Sequence, residues 1–213
     1  MQIQKDEIRK TILKIAREEF IEKGFKGASM RTISQKTGVG LSNIYNYFRN
    51  KDEIFREILS PVINILSGIL ETHNNEEHLD INIFKSEEYI GRFTMLYVDI
   101  ITKYRDELIL LLLKSNGSEL EKFQEEHIRK HTKVELEYLR LMKVKYPELS
   151  NDLSEFFVHT MCAWMISTIK ELLMHNLKRQ EQERFIAEYM QYSVGGWKRL
   201  LKVKDNLLQN TNK

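Results

Sequence analysis

One cysteine, two prolines and nine glycines in 213 residues exclude several kinds of protein at once. A lone Cys162 forms no disulfide within the chain and builds no multi-cysteine zinc site. Set in the apolar stretch 156–169, it reads as a buried thiol. So few backbone breakers favour long helices over a many-turned β architecture. Long hydrophobic runs are missing too. None is longer than residues 108–113, far short of the ~20 needed to cross a bilayer. The opening Met-Gln-Ile-Gln-Lys-Asp-Glu has no signal-peptide core, so a cytoplasmic location without membrane attachment is the expectation. Repeats, low-complexity tracts and strand-type alternation do not occur. Nor do a phosphate loop, a His-Glu-x-x-His or a nucleophile elbow, so no enzymatic activity and no cofactor are expected.

Charge of one sign is also in short supply, with a net charge of only +2. Its distribution is uneven. Residues 1–60 carry 12 Lys and Arg against 8 Asp and Glu, and from Lys26 to Lys51 five cations (Lys26, Arg31, Lys36, Arg49, Lys51) stand with no acid among them. An acid-free basic stretch beside a mildly acidic remainder suits a localised DNA-contacting module.

Hydrophobic periodicity predicts helices throughout. Ile8, Ile12, Ile15, Ala16 and Phe20 form one stripe of a helix over 5–23, which Gly24 ends. Ser29 reads as the N-cap of a helix over 30–36. Thr37-Gly38-Val39-Gly40 forms a tight turn, and a further short helix covers 41–47. Asn50 caps a helix that begins near Lys51, where Pro61 predicts a kink. Residues 72–82 lose the pattern and read as a loop. Helices follow over 86–104, 105–114, 118–145, 149–176 and 181–202. The fold class is therefore all-α: a three-helix N-terminal domain over 1–50, a helical bundle over 51–203, and a frayed tail over 204–213.

The segment from Ser29 to Phe48 meets the requirements of a helix-turn-helix: two short helices, a glycine-containing turn, and one apolar face on each helix. The second helix offers Leu41, Ser42, Asn43, Tyr45, Asn46 and Tyr47, groups suited to base edges and phosphates. Arg31-x-Ile33, Gly38-Val39, Ile44-Tyr45-x-Tyr47-Phe48 and Lys51-x-x-Ile54, in that order and spacing, closely resemble the N-terminal domain of the TetR family of transcriptional regulators over about residues 5–60. Two positions depart from the usual pattern, Gly40 at the recognition-helix cap and Ser42 where Gly or Ala is common. The resemblance implies that Ser29, Arg31 and Thr32 face phosphates. It places Leu41, Ser42, Asn43, Tyr45 and Asn46 at the major groove, with Tyr47 and Lys51 on the DNA backbone.

Downstream, His127 and His131 lie one turn apart, but their charged neighbours (Glu125, Glu126, Arg129, Lys130) suggest a solvated face rather than a metal site, and no metal is expected. His73 and His78 sit in the acidic loop. The adaptable apolar residues Phe93, Tyr97, Ile100, Tyr104, Met161, Trp164 and Met165 suit a bundle core or a small-molecule pocket within it. The last two helices carry more apolar surface than one bundle covers, marking an association surface of Phe157, Met161, Ile169, Tyr189, Trp197, Leu200 and Leu201. With the resemblance, the function expected is that of a ligand-responsive dimeric repressor. Its partners are a palindromic double-stranded operator, a small organic ligand and a second copy of the chain. The alternative is a small-molecule or lipid-binding bundle without DNA-binding activity.

Overall fold

Capping and periodicity place nine α-helices among the residues described by the computed structural model, 2–85 and 87–204, with side chains from Lys5 onward. They are α1 (Gln2–Gly27), α2 (Met30–Thr37), α3 (Leu41–Ile44), α4 (Lys51–Thr72), α5 (Glu87–Lys103), α6 (Arg105–Leu113), α7 (Phe123–Lys145), α8 (Glu155–Met174) and α9 (Arg179–Leu200). The all-α class expected from sequence is the one observed. No helix among the described residues is long and apolar enough to cross a membrane.

The described residues form two compact units, one of residues up to 66 with 106–124, the other of 67–105 with 125–204. The sequence reading instead divided the chain at residue 50. In the first unit Phe20, Phe25 and Phe55 pack ring on ring, with centroids 4.9–5.9 Å apart. Ile54, Phe55, Leu59 and Val62 of α4 are wholly buried, so the first half of α4 belongs to the N-terminal core. The leucines of α6 belong there too. Arg17 of α1 pairs with Asp106 and Glu107 at 2.9 and 2.7 Å, and the Phe25 N–H donates to the Lys114 carbonyl at 3.0 Å.

Local chemistry sets the helix ends. Inside α1, Gly24 has φ +69°, a backbone sign that side chains disfavour. It breaks the helix near the end expected from sequence. Ser29 caps α2 by accepting from the Thr32 N–H at 3.0 Å, and Gly38 closes it in the left-handed region, φ +69°. Regular α3 ends at Ile44 rather than near Tyr47, because the Asn46 and Tyr47 amides tighten onto the carbonyls three residues back, at 3.1 and 2.9 Å. Asn50 caps α4 as expected, its Oδ1 accepting from the Glu53 N–H at 2.8 Å.

The helix α4 continues through Pro61, where the sequence predicted a kink. Proline withdraws the amide that would reach the Glu57 carbonyl. The Ser60 hydroxyl donates to that carbonyl instead, at 2.8 Å, and the Pro61 ring is exposed.

In the second unit, α5 lies along α9. The segment read as a loop contains 3-10 turns at Glu76–His78 and Ile81–Phe84. Its Leu79, Ile81 and Phe84 are buried, so it is a packed part of this unit. Two helices start later than expected. Residues 118–122 are taken up by turns before α7. Before α8, the Ser150 N–H is drawn to the Leu201 carbonyl at 2.8 Å and Ser154 supplies the cap. Of the expected tail, all but residue 204 lies outside the described residues.

Candidate nucleic-acid interface and a buried polar cluster

Two positions hold α3 in place from beneath: Ile44 and Phe48 are buried, at 0% and 1% exposure. The other face is open. Ser42, Asn43, Tyr45 and Asn46 are exposed, and Leu41 and Tyr47 are half-buried. Tyr45 therefore points its ring outward rather than into the domain core. The Asn46 amide nitrogen donates to Asn43 Oδ1 at 3.2 Å, which leaves the Asn43 amide hydrogens and the Asn46 carbonyl facing out. On α2, the Ser29 and Thr32 hydroxyls lie 2.9 Å apart and serve the cap, while Arg31 is exposed.

The five cations of the acid-free stretch divide into two groups. Lys26, Arg31 and Arg49 are exposed and form no ion pair among the described residues. Lys36 instead holds Glu19 of α1 at 2.7 Å. Lys51, expected on the DNA backbone, directs its ammonium inward. It donates to the carbonyls of Phe25 and Ala28 at 2.7 and 2.9 Å and stands 4.2 Å from the Phe25 ring centroid. Burial pushes its pKa down against the opposing charge of Asp52. An ammonium has three donors, so at most one remains for a phosphate.

Glu19 is the residue that sequence reasoning missed. It is wholly buried and bonded to Lys23 at 2.8 Å and Lys36 at 2.7 Å. Burial opposes its ionisation, yet the two lysine hydrogen bonds prevail and hold its pKa below the ordinary 4.5. The signal was present: Glu19 falls on the same helical stripe as Ile12, Ala16 and Phe20. An acid on an apolar stripe calls for a cation nearby.

The second unit holds a buried polar cluster. Glu135 of α7, its side chain only 16% exposed, has its carboxylate 3.1 Å from His73 Nε2. That approach is close enough for an ion pair but is not aligned as a hydrogen bond. The His73 ring lies 4.8 Å from that of Tyr138 and 6.3 Å from that of His131, which in turn is 6.4 Å from His127. His127 is buried, not solvated as the sequence suggested; burial, then the charges of His131 and Lys130, push its pKa down to about 4. Burial lowers His131 as well, against the pull of Glu135. His131 Nδ1, His73 Nε2 and Thr94 Oγ1 are buried without a hydrogen-bond partner, and such an atom costs roughly 1–3 kcal/mol. Among the described residues no three His, Cys, Asp or Glu side chains gather to hold a metal. Cys162 is buried as expected, its pKa pushed up to about 12 by burial and then by Glu135.

The residues expected to line a pocket all lie in the second unit. Ile100 is buried, Trp164 is 37% exposed, and Phe93, Tyr97, Tyr104, Met161 and Met165 are half-buried. The expected association surface is only partly open. Phe157 and Trp197 pack on each other at 5.9 Å. Leu201 is 2% exposed, so it belongs to the protomer's own core and has no surface to offer a partner. Met161, Ile169 and Tyr189 are half-buried, and Leu200 is open. The most exposed apolar residues of α8 and α9 are Phe156 (78%), Tyr192 (72%) and Met174 (55%).

Short capped helices, a glycine turn and an outward row of amide, hydroxyl and phenol groups define a helix-turn-helix protein. Residues 12–58 match the family described as bacterial regulatory proteins, tetR family, and the chain carries that family's helix-turn-helix domain. A curated relative, the uncharacterised HTH-type transcriptional regulator YhgD of Bacillus subtilis, is 29% identical over half of this chain and 65% of its own length. The match thus spans less than two thirds of that relative. Among solved structures, NalD of Pseudomonas aeruginosa, the secondary repressor of a multidrug efflux pump, superposes with a TM-score of 0.60 at 18% identity, covering 88% of this chain and 95% of NalD. FadR of Bacillus subtilis, in complex with stearoyl-CoA, superposes at 0.56 with 17% identity, covering 85% and 97%. At these identities the likeness shows the fold.

Proposed function

We propose that this chain is a sequence-specific DNA-binding transcriptional regulator, a homodimeric repressor whose operator affinity is set by a small organic ligand. The observation that carries the reading is the open face of α3. Ser42, Asn43, Tyr45 and Asn46 stand exposed on a helix anchored by Ile44 and Phe48, within a segment that matches the tetR family. Amide groups read adenine and hydroxyls read several bases, whereas phosphates are met by cations. Arg31, Lys26 and Arg49 are the cations free to do so. Ser29, Thr32, Leu41 and Tyr47 border this face, and Lys51 supports it from behind.

Exposed Phe156, Tyr192, Met174 and Leu200 on α8 and α9 support a second copy of the chain as partner, since large apolar side chains left open along two helices favour burial against another surface. A ligand changes DNA affinity only by binding two arrangements of the protein unequally. The helix α4 belongs to both units, which makes it the covalent route for that effect. The fold shared with FadR, whose structure is a complex with stearoyl-CoA, supports a small organic ligand. The alternative, a binding bundle without DNA activity, gives no reason for the open face of α3.

The test is fluorescence anisotropy with labelled duplex from upstream of the chain's own gene, against scrambled duplex, across a salt series. Specific binding should exceed non-specific binding by at least ~10³-fold, and affinity should fall linearly in log–log salt. Equal affinity for both duplexes at every upstream segment would overturn the proposal.

A further inference from the structure

We propose that the second unit recognises an organic cation, a protonated amine on an apolar body, with Glu135 as its counter-ion and Tyr89, Tyr97 and Tyr138 as neighbouring aromatic groups. The inference rests on the reading of the chain as a ligand-responsive regulator and names the ligand's charge. Glu135 is a nearly buried carboxylate whose ion-pair partner among the described residues is His73 alone, at 3.1 Å and off the hydrogen-bonding direction. A carboxylate largely withdrawn from water, with one neighbour off the hydrogen-bonding direction, gains from a ligand that brings aligned N–H donors.

The surroundings favour a cation over an anion. Burial first, and then the Glu135 charge, raise the Tyr97 phenol, and burial with Tyr97 and Glu135 pushes Tyr89 up to about 12. These phenols stay neutral, and a neutral phenol ring attracts a cation over its π face. Burial keeps His131 neutral at ordinary pH, so it brings no positive charge to Glu135. The Tyr89 ring lies tilted against that of Phe93 at 4.4 Å, and the His73 ring lies 4.8 Å from Tyr138, giving an apolar body aromatic surface to meet. The unpartnered Thr94 Oγ1 and His131 Nδ1 are further hydrogen-bonding atoms in the same unit. An acyl-CoA or a fatty-acid anion would set its own charge against Glu135.

Three probes with one body separate these outcomes: 4-phenylbutylamine, 4-phenylbutan-1-ol and 4-phenylbutanoate, titrated calorimetrically into the full chain at pH 7. The amine should bind about 10-fold or more tighter than the alcohol, the scale of a charge-assisted hydrogen bond, and the anion should be weakest. Glu135→Gln should erase the preference of amine over alcohol, with folding checked by circular dichroism. Preference for the anion, equal binding of all three, or no binding by any in the wild-type protein would overturn the proposal, whether or not the variant folds. Anisotropy with the upstream duplex on the same preparation separates the two readings. Specific DNA binding without amine preference removes the cation site alone, and amine preference without specific DNA binding removes the regulator.

Discussion

At Lys51, one ammonium joins the Phe25 and Ala28 carbonyls and faces the Phe25 ring. Lys51→Ala leaves two carbonyls without that donor, and the N-terminal unit should lose about 1–3 kcal/mol in urea unfolding. The salt slope of DNA binding should stay as it is, whereas removing a phosphate contact would shrink it by about 1. A smaller slope with unchanged stability would return Lys51 to the DNA backbone. Glu19 gives a pH dependence of definite sign. Its folded pKa lies below the unfolded value near 4.5, so its contribution is complete above that value and is lost as pH falls through the folded pKa. Thermal melts from pH 7 to pH 3 should show an acid limb that Glu19→Gln flattens. Identical limbs in both proteins would assign the acid sensitivity to other carboxylates.

Within α4, Ser60 and Pro61 act as a pair. The hydroxyl occupies the Glu57 carbonyl that the proline leaves without an amide donor, so that carbonyl stays paired inside the helix. Ser60→Ala should cost about 1 kcal/mol in the presence of Pro61. In a Pro61→Ala background, the restored amide reaches Glu57 and the same change should cost close to nothing. A double-mutant cycle reads this coupling directly, and additive effects would show that the hydroxyl does not substitute for the amide. The helix ends tell a similar story. Ser29 and Asn50 were identifiable as caps, and Gly38 as part of a tight turn, because each acts within one turn of itself. The starts of α7 and α8 were not, because residues 118–122 and 149–154 form turns and packed loop.

For the whole molecule, the proposed association surface centres on the open residues of α8 and α9. Trp164 packs against Tyr189 at 4.9 Å and Tyr192 at 5.6 Å, forming an aromatic patch of which Tyr192 is the most exposed member. Tyr192→Asp should shift micromolar protein from dimer to monomer in sedimentation velocity and weaken binding to a two-half-site operator far more than to a single half-site. Two-fold symmetry would set the half-site centres about 34–36 Å apart or at multiples of that distance. A wild-type protein that sediments as a monomer at micromolar concentration would remove the dimer. Charge at Leu201 should instead unfold the protomer, since that side chain is part of its core.

By itself the sequence determined the helical class, the caps at Ser29 and Asn50, the glycine that ends α2, and the outward face of α3. Each depends on residues a few positions apart, so periodicity and composition carry the information. The tertiary structure alone decided which charges are free. Lys36 and Lys51 look the same in sequence as Arg31 and Arg49, yet the first two are held by Glu19 and by backbone carbonyls 17 to 26 residues away. It likewise drew α6 into the N-terminal unit, turned His127 inward and buried Leu201. Glu135 met His73 only through folding. Local pattern specifies which way a side chain leaves its helix; what it then meets is set by parts of the chain brought together from far along the sequence.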